Sequence, residues 1–74
     1  MSDDFRQISQ AVIARRSELG LSRQEAAERC GVSKSAIARI ESGQSGISLN
    51  TALSICSGLG LRLFAVPVLN EDEA

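Results

Sequence analysis

The sequence predicts a mainly α domain: four short helices followed by one apolar strand. Three observations predict it. Apolar residues recur at three- and four-residue spacing through residues 3 to 59, the signature of helices with one buried stripe. Serines able to cap helices stand at 22, 33 and 48, and glycines close the same stretches. The helical pattern then breaks at -GLGLRLFAVPV-, where β-branched and aromatic residues and a proline take over. With 74 residues the chain is one domain. A core of that size is marginal alone, and a partner chain is one of the usual remedies.

The first helix is expected over residues 3 to 19. Asp3 and Asp4 suit its N-terminus, where the helix dipole favours negative charge. Phe5, Ile8, Val12 and Leu19 form its apolar stripe, and Gly20 ends it. The second starts at Ser22, because Ser22-Arg23-Gln24-Glu25 is a capping box. It runs to about Cys30, with Ala26, Ala27 and Cys30 inward. Gly31-Val32 makes a turn, Ser33 caps the third helix, and this runs to about Ser42 with Gly43 closing it. Ser48 caps the fourth, whose inner face is expected to be Leu49, Ala52, Leu53, Cys56 and Leu59. Gly58 and Gly60 mark its end.

Residues 61 to 68 form the strand. Leu61, Leu63, Ala65 and Pro67 alternate with Arg62, Phe64, Val66 and Val68, so both faces are mostly apolar. No second strand is evident in the chain, and a lone strand leaves its backbone groups unpaired. The economical partner is the same strand of a second copy, antiparallel across a two-fold axis. Leu61, Leu63, Phe64, Val66 and Val68 are therefore the expected dimerisation residues; the other solution is a tail lying on its own helices. The expected organisation is a helical domain over residues 1 to 60, a dimerisation strand over 61 to 68, and a disordered acidic tail over 69 to 74.

Net charge is −1, but it is unevenly spread. Residues 5 to 40 hold seven basic side chains against three acidic ones, while Asp3, Asp4, Glu71, Asp72 and Glu73 sit at the ends. A locally basic body suits an anionic partner; the plainer reading is that terminal acids only solvate the ends. The chain has no histidine, and its two cysteines, Cys30 and Cys56, form no C-x-x-C pair. A zinc site is thus unsupported, and both cysteines read as small core residues. No metal set or Gly-rich phosphate loop is present, so neither enzyme chemistry nor a cofactor is expected. The N-terminal MSDDFRQ lacks a basic region and an apolar run, and no segment approaches a membrane span, which leads to the expectation of a soluble cytoplasmic protein.

Helix, turn through Gly31, helix is the helix-turn-helix arrangement, in which the second helix enters the major groove of DNA. Residues 22 to 43, SRQEAAERCGVSKSAIARIESG, resemble the Cro/cI-type (Xre, lambda-repressor-like) helix-turn-helix of bacterial and phage repressors. That family's pattern is roughly T-Q-x-x-L-A-x-x-x-G-V-S-x-x-x-I-x-x-I-E-x-G. Ser22, Ala27, Gly31, Val32, Ser33, Ile37, Ile40, Glu41 and Gly43 match it. SLNTALSICSGLGL resembles the family's next helix, so the likeness covers about residues 8 to 61. It departs at Arg23, where the family has glutamine.

Helical geometry sorts the third helix independently. At about 100° per residue, Ile37, Ile40 and Glu41 point one way, and Ser35, Ala38, Arg39 and Ser42 the other. Lys34, Ser35 and Arg39 are the expected base readers, since lysine and arginine donate to guanine and serine is permissive. Ser33 caps and can donate to a phosphate, and Ala38 can meet a thymine methyl. Arg23 and Arg29 are candidates for phosphate contacts, Arg23 the better placed because a helix N-terminus already favours an anion. An inward Glu41 needs a cation. Arg16 falls within the first helix's apolar face, and the resemblance implies the same Arg16–Glu41 ion pair.

The resemblance further implies double-stranded DNA as partner, a homodimer, and an inverted-repeat operator with half-sites about 34 Å apart. The apolar ending is similar to that of HipB-type antitoxins, whose C-terminal strands pair between protomers. Such proteins repress their own operon and hold a HipA-like serine/threonine kinase toxin. The other classes in play are a stand-alone Xre-type regulator and a protein-interaction module that no longer binds DNA.

Overall fold

The computed structural model describes residues 3 to 44 and 46 to 67. Among the described residues four helices follow one another: α1 (Asp3–Glu18), α2 (Arg23–Cys30), α3 (Lys34–Glu41) and α4 (Leu49–Gly58). The mainly helical class and the number of helices are those expected. Each helix lies where local signals put it, because those signals are short-range hydrogen bonds. Ser22, Ser33 and Ser48 accept from the amides of Glu25, Ala36 and Thr51, and the Ser22 amide donates back to Glu25 at 2.8 Å.

The helix ends share one device. After α2, Gly31 turns left-handed at φ 70°. Its N–H reaches Glu28 O, and the next N–H, of Val32, reaches Ala27 O at 3.0 Å. The same pair of bonds ends α1 at Gly20 and Leu21, α3 at Gly43 and Gln44, and α4 at Gly60 and Leu61. Gly-Leu-Ser (20 to 22) and Gly-Val-Ser (31 to 33) thus each stop one helix, tuck an apolar side chain against the core and start the next helix. Gly-Ile-Ser (46 to 48) starts α4 in the same way.

α3 is the hub: it packs against α1, α2 and α4. Its Ile37 and Ile40 join Val12, Ala26, Ala27, Cys30, Ile55 and Leu59 in one buried cluster. Fully burying an Ile, Leu or Val side chain is worth about 1.5–3 kcal/mol, so this shared cluster, rather than the short helices themselves, holds the domain together.

The inner face of α4 differs from the expected one. Leu49 and Leu53 are 68% and 41% exposed, whereas Ile55 is fully buried. Ala52, Ile55 and Leu59 pack into the shared core, with Cys56 buried beside them, so the inner face is rotated away from Leu49 and Leu53. Gly58 is the last residue of α4 and stands there for a packing reason. A Cβ on Gly58 would sit 2.7 Å from Cys30 Cα and 2.6 Å from Cys30 Sγ. The missing side chain lets the end of α4 press directly on the end of α2.

The expected C-terminal strand is absent among the described residues: 61 to 67 have no regular structure. A strand whose only partner is another copy has no ladder within one chain, so its backbone cannot register as sheet. The segment still alternates at its start. Leu61 and Leu63 are half-buried and Arg62 is exposed; Phe64 and Val66 are 72% and 64% exposed. Val68 and the acidic tail of residues 69 to 74 lie outside the described residues. Among the described residues, no helix is long and apolar enough to cross a membrane.

Candidate nucleic-acid interface

α3 presents two chemically opposite sides. Inward are Ile37, Ile40 and Glu41, all buried. Outward and exposed are Lys34, Ser35, Arg39 and Ser42, with Ala38 half-buried between them. Ser33 is exposed at the N-terminal end, where its Oγ accepts from Ala36 N at 3.1 Å, and its own hydroxyl hydrogen remains a donor. Arg39 lies along the loop after α3: a Cβ on Gly46 would stand 2.9 Å from its Nη2. The structure therefore places Ser33, Lys34, Ser35, Ala38 and Arg39 on one face, and mounts that face on the core.

The mount is Glu41. Arg16 Nε donates to its Oε2 at 2.6 Å and Arg16 Nη2 to its Oε1 at 3.1 Å. Arg16 Nη1 donates to Leu21 O at 2.9 Å, which also pins the turn between α1 and α2. A third bond was not anticipated: Arg23 Nε donates to Glu41 Oε1 at 3.0 Å. The Glu41 side chain is 2% exposed, that of Arg16 18% and that of Arg23 53%. One buried carboxylate thus serves two guanidiniums, leaving a net positive charge at the junction of three helices. Burial pulls the Glu41 carboxyl up, but the hydrogen bonds from Arg16 and Arg23, then their charges, outweigh it and hold it below the usual carboxylate range. The hydrogen bond to Glu41 raises Arg16 in turn.

A family model described as Helix-turn-helix, the Cro/C1-type or Xre family, matches residues 12–65. The chain belongs to the Cro/C1-type helix-turn-helix family. Its motif is α2, the Gly31 turn and α3, and the domain is that of a DNA-binding transcriptional regulator. No curated protein matches the chain.

Within this helix-turn-helix domain, several arginines have roles that sequence reasoning missed. Arg29, a weaker phosphate candidate, donates through Nε to Gly58 O at 2.9 Å. Arg15 donates through Nε to Leu59 O at 2.8 Å. Both cations thus satisfy carbonyls at the C-terminal end of α4, where the helix dipole is negative. The available signal was weak: a basic residue in the last turn of α1 and of α2, with no carboxylate nearby that uses it fully. Arg15 does pair with Glu18, but at 3.6 Å and in the open. Buried Ser9 Oγ, which has no hydrogen-bond partner among the described residues, lies 3.9 Å from where a Gly43 Cβ would be, at the turn after α3. Cys30 and Cys56 are free and buried, and burial pushes both thiols up.

Proposed function

We propose that this regulator reads duplex DNA with the outer face of α3, as a homodimer on an inverted-repeat operator. The observation that carries this is the division of α3: Lys34, Ser35 and Arg39 exposed together, with Ile37, Ile40 and Glu41 buried beneath them. Lys34 and Arg39 supply donors for guanine edges, Ser35 a permissive contact, Ala38 a methyl surface, Ser33 and Arg23 phosphate contacts. The dimer is supported by apolar Phe64 and Val66, which stand exposed beside half-buried Leu61 and Leu63. Paired with the same residues of a second copy, and with Val68, they would form the two-stranded ribbon.

The likeness of the -GLGLRLFAVPV- ending to HipB-type tails extends the proposal to an autorepressing antitoxin that binds a HipA-like serine/threonine kinase. The exposed apolar tail favours this version over a stand-alone Xre-type regulator. The deciding experiment titrates the protein against DNA from upstream of its own gene at several salt concentrations. Operator binding should weaken steeply as salt rises. No binding, or a flat salt response, would indicate an interaction module without DNA readout. Co-expression with a kinase encoded beside it then separates the two regulators: only the antitoxin co-purifies with that kinase.

A further inference from the structure

The Arg16–Glu41–Arg23 cluster does more than a buried ion pair requires. One arginine suffices to neutralise Glu41, and Arg16 already gives it two hydrogen bonds. Arg16 is fully engaged inside the domain, with Nε, Nη1 and Nη2 all donating. Arg23 is different. It is half-exposed and held through Nε alone, and among the described residues its terminal nitrogens make no hydrogen bond. It is also the first residue of α2, the helix that crosses the DNA backbone in a helix-turn-helix complex. A guanidinium has two usable edges and presents its donors in a fixed fork. Here one edge is fastened to the last turn of α3 and the other faces solvent.

We infer that Glu41 is a positioning residue for DNA binding: it fastens Arg23 by Nε so that the Nη edge meets a backbone phosphate in fixed register with α3. This deepens the DNA-binding reading and rests on it. The two guanidiniums divide the work. Arg16 locks α1 and the α1–α2 turn to the carboxylate, and Arg23 carries the surplus positive charge to the surface. A flexible side chain would have to be ordered on binding; one already held costs less. Arg23 thereby offers the phosphate a charged contact whose direction is set from inside the core.

The test uses a mixed-sequence DNA duplex, since phosphate contacts are independent of sequence, and reads affinity across salt in folded variants. Arg23→Ala should reduce the slope of log K against log salt by about one. Glu41→Gln is the sharper variant, because the two explanations differ in sign. Removing a negative charge from a DNA-binding protein should tighten binding if only charge matters; loss of positioning should weaken it roughly tenfold. Arg23→Lys keeps the charge but has no second edge, and should bind several-fold more weakly than the parent. Glu41→Gln that binds as tightly as the parent or tighter overturns the inference. Should that variant fail to fold, Arg23→Lys decides, and parental affinity overturns it. Absence of salt-dependent binding by the parent defeats the DNA-binding reading itself. Failure of the positioning inference alone leaves that control intact.

Discussion

A single carboxylate sets much of the chemistry at the residue scale. Glu41 is ionised more readily in the folded chain than in the unfolded one, so its contribution to stability is complete above the unfolded value of about pH 4.3. It is lost as pH falls from there through the depressed folded value. Urea midpoints taken from neutral pH downward should therefore drop across the acid range. Glu41→Gln should start lower and drop less steeply. Glu25 contributes in the same sense, its carboxyl lowered by the backbone and then the hydroxyl of Ser22, and supplies part of the residual slope in that variant. The Arg16 partner was legible in the sequence because a carboxylate among isoleucines demands a cation, and Arg16 lies on the facing stripe. Arg23 was not. One cation already meets that demand, and a second contact 18 residues away depends on how α2 is rotated on α3.

At the scale of elements, starts and stops were legible and faces less so. A serine cap or a glycine stop acts within four residues, so the sequence displays the whole interaction. Ser48→Ala should accordingly cost about 1 kcal/mol, visible as a lower thermal midpoint. The inner face of α4 is set by its neighbours, and leucine at 49 and 53 is as apolar as isoleucine at 55. Gly58 is the clearest case of this limit. Read locally, a glycine near a helix end is a stop, and alanine inside a helix is worth up to about 1 kcal/mol more than glycine. Against Cys30 the sign reverses. Gly58→Ala should destabilise by about 1–3 kcal/mol as α4 is pushed off α2, measured as a fall in the urea midpoint.

For the whole molecule, the main question is how so small a core is completed. The tail is expected as a strand, and its described residues, 61 to 67, have no regular structure; on the proposed reading its hydrogen-bonding partner is another copy. Removing it wholesale is a poor test, since Leu61 packs against the core. Phe64→Ser combined with Val66→Ser leaves that contact in place. Sedimentation should then report a monomer, and the thermal midpoint should lose its dependence on protein concentration. The pair of buried thiols offers a different handle on the same molecule. Cys30, under the notch at Gly58, and Cys56 are both buried, so reaction with a thiol reagent should be set largely by opening of the domain. Their labelling rate under native conditions therefore reports the opening free energy without denaturant. DNA that binds only the closed form must slow that labelling in proportion to its occupancy. The core thus contains its own binding assay: candidate operators can be ranked by how long each keeps the cysteines out of reach.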